Sequence, residues 1–213
     1  TLLLPICVYF GLKFLKFKNF IPEIGAVGSI MFLFLEDFSI YGANIPSTLA
    51  GEFSYSFSFA LFFLFFGLFD RGMRENKYLI PNTLVLAIMA LSHPFPVISA
   101  TLYATLLMVV SQNRLKKAIY ALKVFGLAFG ITAFWSIPFL YYRSYTSVMS
   151  WYRTIKLSEM FPATLQLFWL ASIVGLFFLI KNHNKKILNF LILSLSNLVL
   201  FLVINNSPIY NTR

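Results

Sequence analysis

The stretch FSYSFSFALFFLFFGLF, Phe53 to Phe69, decides the fold class. Its first seven residues alternate apolar and small polar side chains, which by itself is typical of a half-buried strand. The stretch then continues without a turn signal into an apolar run, and an isolated strand in lipid would leave its backbone polar groups without partners. We therefore predict a membrane-spanning helix in which Ser54 and Ser58 lie one turn apart on the same face.

The composition of the whole chain agrees with a membrane location. The 213 residues are 59% hydrophobic and 11% charged, whereas a soluble domain carries about 25% charged residues. The net charge of +10 falls in short clusters between apolar runs, as in cytoplasmic loops. This pattern favours membrane lipids as partners, and we expect no nucleic-acid binding. The first residue is Thr1, so we expect the chain to be a fragment of a longer protein.

Eight apolar segments predict an all-α polytopic transmembrane helix bundle of about eight spans, in one integral membrane domain over residues 1–213. A spanning helix needs about 20 apolar residues. Four basic clusters occupy every second loop, which satisfies the positive-inside rule. The segments are approximately 1–12, 20–35, 53–69, 78–92, 96–112, 118–142, 164–180 and 187–204.

Two shorter patterns carry structural predictions. Pro94 and Pro96 break the helical pattern in ALSHPFPVIS, which indicates either a hairpin of two short spans or a re-entrant pair. Gly126 and Gly130 follow the small-xxx-small spacing, which predicts a close helix contact.

The polar residues that could carry chemistry gather on the predicted non-cytoplasmic side. Each also has a structural interpretation. Glu36 and Asp37 fit a water-facing pair at a helix end, and Glu52 fits a charge favoured by a helix dipole. His93 fits a loop residue that breaks a helix. Cationic side chains in late loops matter less to orientation, but they could also hold a lipid phosphate. These cations are Arg143, Arg153 and Lys156.

Two stretches carry a family resemblance: IPSTLAGEFSYSFSFALFFLFFGLFDRG and LAIMALSHPFPVISATLYA. They resemble archaeal and bacterial multi-pass proteins described as 6-pyruvoyl-tetrahydropterin synthase-related membrane proteins. That description does not imply pterin chemistry. The group is similar in layout to GT-C glycosyltransferases, so the resemblance implies a GT-C-like fold in a prokaryotic cell membrane. It also implies a polyprenyl-phosphate-linked sugar donor at the outer face.

The resemblance also assigns roles to residues. In GT-C enzymes the main catalytic acid usually lies in the first outer loop, and we expect that loop to precede residue 1. Glu52, Asp37 or Glu36 would then be a second acidic element that activates an acceptor hydroxyl or holds a divalent metal such as Mg²⁺ or Mn²⁺. The substrate-binding candidates are His93, Tyr55, Arg143, Arg153 and Lys156.

Two other classes remain open. A transporter or lipid-handling protein would place charged residues near the middle of the bilayer, and only Glu23 and Lys123 come near to that in the sequence. A non-catalytic membrane scaffold would have the same hydropathy without a cavity.

Overall fold

The computed structural model describes residues 2–37, 42–145, 163–181 and 187–206. Within these ranges the secondary structure is helical, with no strand. The helices are α1 Leu3–Phe14, α2 Ile21–Leu33, α3 Ile45–Leu49, α4 Phe53–Glu75, α5 Leu79–Ser92, α6 Pro94–Val110, α7 Arg114–Tyr141, α8 Gln166–Lys181 and α9 Ile187–Asn206.

The all-α prediction is confirmed, and each predicted apolar segment contains one long helix. The alternating stretch from Phe53 forms the start of α4, as predicted. Among the described residues, three helices are long and apolar enough to cross a membrane: Phe53–Glu75, Arg114–Tyr141 and Ala163–Lys181. The other apolar helices have 10–17 residues, so the count of about eight spans stays a prediction.

The chain divides into two compact units, Thr1–Arg143 and Ser144–Arg213. The first unit is built around α4, whose side chains form much of its core. In the second unit α8 follows a 3₁₀ turn at Ala163–Leu165 and contacts α9. The α8 side chains are almost all exposed, which is what an apolar helix shows when lipid rather than protein covers it. The single domain over residues 1–213 stays a prediction.

Helix α1 runs parallel to α4. Gly11 and Gly67 meet backbone to backbone near the middle of both helices, so closely that a Cβ on Gly67 would collide with the Gly11 carbonyl. At their ends, Lys16 Nζ lies 3.1 Å from Glu75 Oε1. Glycine at the crossing lets the two helices pack in this way.

Helices α5 and α7 run antiparallel to α4. Near the start of α5, Asn82 Nδ2 donates to the Leu68 carbonyl at 3.2 Å, and near its end the Met89 carbonyl accepts from Ser58 Oγ at 3.1 Å. At the start of α7, Tyr120 OH donates to the Lys77 carbonyl at 2.7 Å.

These directions sort the charged residues of the first unit by end. We call the end where α1 and α4 finish the basic end; it carries Lys13, Lys16, Lys18, Arg71, Arg74, Lys77, Arg114, Lys116 and Lys117. We call the opposite end, where α4 begins, the acidic end; it carries Glu36, Asp37, Glu52, His93 and Arg143. This separation is the one the positive-inside pattern predicts for a protein whose basic end faces the cytoplasm.

The two local predictions have different outcomes. The α5–α6 turn is a helical hairpin, because α5 ends at Ser92 and α6 begins at Pro94. The close contact at Gly126 and Gly130 is wrong for the described residues: a Cβ at either position would meet nothing within 4 Å. Spacing alone does not determine which face of a helix packs.

Candidate functional site at the acidic end

The short helix α3 is fixed by the side chain of Asn44. As the N-cap of α3, Asn44 accepts from the Ser47 amide at 2.9 Å, as this residue type usually does. Its Nδ2 donates to the Leu35 carbonyl at 2.7 Å. One amide side chain therefore ties the peptide just before Glu36 to the helix that leads to Glu52.

A tight turn then positions Glu52. Gly51 adopts φ 108°, a conformation that glycine reaches without a Cβ clash. The Glu52 amide donates to the Ser47 carbonyl at 3.1 Å, and the Glu52 carbonyl accepts from Ser56 Oγ at 3.0 Å. Ser56 Oγ also lies 2.7 Å from Thr48 Oγ1. The Glu52 backbone is thus held between α3 and α4.

The Glu52 carboxylate is not used to cap α4. Glu52 is the N-cap residue of that helix, but its side chain makes no capping hydrogen bond. The side chain is half-buried. A dipole-favoured charge at this end remains compatible with the structure, and the carboxylate also lies beside two other candidate residues.

Tyr55 and His93 meet next to Glu52. The Tyr55 ring contacts the His93 imidazole edge to face, with centroids 5.2 Å apart. The negative charge of Glu52 acts on both rings. Burial lowers the pKa of the His93 imidazole, and the Glu52 charge only partly opposes that shift. The site therefore combines a carboxylate, a phenol and an imidazole that is neutral at neutral pH.

The backbone and side chain of His93 join α5 to α6. Its amide donates to the Met89 carbonyl at 2.9 Å and so ends α5. Its Nδ1 accepts from the Phe95 amide at 3.3 Å and so caps α6. Its carbonyl accepts from Ser58 Oγ of α4 at 3.2 Å. His93 is a helix-breaking residue, as one interpretation of the sequence had it, and it also packs against Tyr55.

The other predicted site residues divide into two groups. Glu36 and Asp37 are exposed just after α2, and Arg143 is exposed in the 3₁₀ turn that follows α7. The helix directions place all three at the acidic end. Arg153 and Lys156 lie outside the described residues. The structure thus brings Glu52, Tyr55 and His93 together, and it places Glu36, Asp37 and Arg143 at the same end.

A divalent metal finds an incomplete set of ligands here. Within the described ranges there is no group of three or more His, Cys, Asp or Glu side chains that could hold a metal ion. Glu52 and His93 supply one carboxylate and one imidazole, whereas Mg²⁺ and Mn²⁺ prefer a shell of oxygen ligands. The described residues therefore do not fit the metal role that the resemblance implies.

The sequence did not single out an ion pair near the basic end. Asp70 of α4 is 4% exposed and pairs with Arg74 one turn later. Arg74 Nη2 also donates to the Phe14 carbonyl of α1 at 3.3 Å. The signal was an acid and an arginine at i and i+4 directly after an apolar run, a spacing that favours an ion pair on one helix face.

Tyr103 of α6 lies beside this pair. It is 0% exposed, its ring packs against Phe66 with centroids 4.8 Å apart, and the charges of Asp70 and Arg74 both act on its hydroxyl. Buried ionisable residues in membrane helices usually face protein or a polar cavity and are functional candidates. This group is separate from the residues at the acidic end.

Taken together, the apolar helices, their exposed apolar side chains and the separation of charge between the two ends define an α-helical membrane protein. The family model of the 6-pyruvoyl-tetrahydropterin synthase related domain, a membrane protein, matches residues 1–207. The chain belongs to this family. No curated protein and no solved structure shows significant similarity to it.

Proposed function

We propose that this protein is a GT-C-like membrane glycosyltransferase that moves a sugar from a polyprenyl-phosphate carrier to an acceptor hydroxyl at the acidic end. The observation that carries the proposal is the position of Glu52. Its carboxylate is half-buried, makes no capping hydrogen bond and lies beside Tyr55 and His93. A carboxylate in such a position suits general-base catalysis.

In the proposed reaction the Glu52 carboxylate accepts the proton of the acceptor hydroxyl. The acceptor oxygen forms a bond to the anomeric carbon of the sugar, and the bond from that carbon to the phosphate oxygen breaks. The polyprenyl phosphate leaves with the electron pair as an anion. Cationic side chains are suited to hold that anion, and the candidates are Arg143, Arg153 and Lys156.

The test is sugar transfer from a membrane lipid extract by the full-length protein. Glu52→Gln keeps the shape of the side chain and removes the base, so we expect transfer to fall by about 10²-fold at equal membrane abundance. Glu23→Gln is the matched control, because Glu23 lies in the first turn of α2 near the basic end. Equal transfer by wild type and Glu52→Gln would return Glu52 to a helix-dipole role.

A lipid-handling or transport function is the second candidate, and the buried Asp70–Arg74 pair favours it. Charged pairs inside membrane helices commonly lie along substrate or ion pathways. This candidate predicts that Asp70→Asn abolishes lipid movement between the leaflets of reconstituted vesicles, whereas Glu52→Gln does not. The glycosyltransferase proposal predicts a loss of sugar transfer in Glu52→Gln instead.

A further inference from the structure

The sequence His93-Pro94-Phe95-Pro96 gives the first turn of α6 an unusual set of donors. Proline has no backbone N–H, so Pro94 and Pro96 leave the Phe95 amide as the donor of that segment. His93 Nδ1 accepts from this amide at 3.3 Å. Ser, Thr, Asp and Asn are the usual residues at such a position. A histidine can make the same contact and still has a second ring nitrogen.

The cap determines which nitrogen carries the proton. A ring nitrogen that accepts a hydrogen bond must hold a free lone pair, so the neutral imidazole carries its proton on Nε2. The ring is also held in place by aromatic neighbours on two elements, because Tyr55 and Phe95 both contact it edge to face at 5.2 and 5.1 Å. The position and the protonation pattern of the ring follow from contacts within the protein.

We propose that His93 is a substrate-binding hydrogen-bond donor: its Nε2–H binds an acceptor oxygen of the substrate, on a phosphate or a sugar, beside the Glu52 carboxylate. This inference rests on the proposed function and divides the labour of that site. A protonated Nε2 cannot take a proton, and a proton on Nδ1 would remove the cap of α6. Glu52 is therefore the proton acceptor of the pair, and His93 is the donor.

The protonation pattern is tested without any activity measurement. The chain has two histidines, so a His183→Asn variant of the full-length protein, labelled with ¹⁵N-histidine in detergent micelles, reports on His93 alone. At pH 7.5 we expect the Nε2–H tautomer, with Nδ1 unprotonated. An Nδ1–H tautomer or a doubly protonated ring at this pH would overturn the inference.

The donor role is tested with variants that separate capping from donation. His93→Ser keeps an oxygen that can cap the helix but has no group that reaches as far as Nε2. His93→Gln loses the cap but places an amide N–H close to the Nε2 position. The probes are a polyprenyl phosphate in lipid nanodiscs, inorganic phosphate and a free hexose, and their comparison shows which oxygen is bound.

We expect wild type to bind at least one probe. His93→Ser should weaken that binding by about 10- to 100-fold, the equivalent of one hydrogen bond to a charged group, while its thermal midpoint stays within about 2 °C of wild type. His93→Gln should keep binding within about threefold and unfold at a lower temperature. Unchanged binding in His93→Ser, or binding of none of the probes by wild type, would overturn the donor role. A lack of sugar transfer by wild type that binds the probes would count against the proposed function alone.

Discussion

The Tyr55 ring lies edge to face against the His93 imidazole, with centroids 5.2 Å apart and planes at 74°. This contact joins the second turn of the long helix α4 to the α5–α6 hairpin, at the end of the unit where Glu52 lies. Aromatic pairs of this geometry contribute about 0.5–1.5 kcal/mol beyond the area they bury. The contact therefore positions the imidazole beside the carboxylate as well as stabilising the fold.

Replacing Tyr55 separates the ring contact from the hydroxyl. Tyr55→Leu should lower the free energy of unfolding by about 0.5–1.5 kcal/mol, and it should weaken probe binding because His93 loses one of its aromatic neighbours. Tyr55→Phe keeps the ring, so its unfolding should match wild type closely. Denaturant or thermal unfolding in detergent measures both variants. Equal stability of Tyr55→Leu and wild type would show that the contact does not hold the hairpin.

The orientation of the first unit can be tested with single cysteines. Glu36 and Lys77 are both exposed, at the acidic and the basic end respectively. If the basic end faces the cytoplasm, Glu36→Cys should react with an impermeant thiol reagent in intact cells. Lys77→Cys should react only after the membrane is opened. The native Cys7 is buried, so wild type serves as the unlabelled control. The reverse pattern would move the candidate site to the cytoplasmic face.

Two glycines give a matched pair of stability predictions. Gly67→Ala places a methyl group against the Gly11 backbone, so it should destabilise the protein by about 1–3 kcal/mol, the usual cost of overpacking. Gly126→Ala meets nothing within 4 Å among the described residues, and alanine is favoured over glycine in a helix by about 0.8–1.0 kcal/mol. It should therefore stabilise α7. Thermal unfolding of both variants is the measurement, and a loss of stability in Gly126→Ala would mean that this face of α7 packs against something else.

The buried pair at the basic end predicts a non-additive result. Asp70→Asn leaves the Arg74 guanidinium without its carboxylate, and breaking a buried pair costs about 3–5 kcal/mol. Because Arg74 is about one-third exposed, we expect a loss nearer the lower value. The double variant Asp70→Asn/Arg74→Gln should be more stable than Asp70→Asn alone. Additive losses in the unfolding free energies of the two single variants would show that the side chains do not interact.

Much of the fold could be predicted from the sequence because hydropathy and charge act over whole helices. The long apolar runs indicated the helices, and the clusters of Lys and Arg indicated which ends lie together. Face-specific packing could not be predicted in this way. Gly126 and Gly130 have the spacing of a helix contact and do not make one, whereas Gly11 and Gly67 meet although they lie far apart in sequence.

The candidate site was partly predictable for a similar reason. Glu52 and His93 stood out because a charged and a polar residue interrupt apolar runs at the same predicted end. Their proximity depends on how α4 packs against the α5–α6 hairpin, and this is a tertiary contact with no local signal. Asp70 was overlooked because it stands in a cluster of basic residues that reads as a loop, while α4 continues through it to Glu75.

The cap on α6 predicts how stability depends on pH. The His93 pKa in the folded protein is below its usual value of 6.5, chiefly because of burial, so the unfolded chain binds the His93 proton more readily. Stability therefore rises with pH where the two states differ in bound protons. The contribution of His93 is complete above about pH 6.5 and is lost as the pH falls from there toward the lower folded-state pKa. The charged groups facing the ring are limited, among the described residues whose charge acts on it, to Glu52.

A variant that caps without titrating isolates this effect. Asparagine is a strong N-cap residue, so His93→Asn should keep α6 capped and remove the His93 contribution to the pH dependence. We expect wild type to lose more stability than His93→Asn between pH 7.5 and pH 5, with the two proteins similar at pH 7.5. The measurement is the thermal midpoint of each full-length protein in detergent across that range. The same pH dependence in both proteins would mean that the protonation of His93 is not coupled to folding and that the cap on Phe95 does not hold the neutral ring.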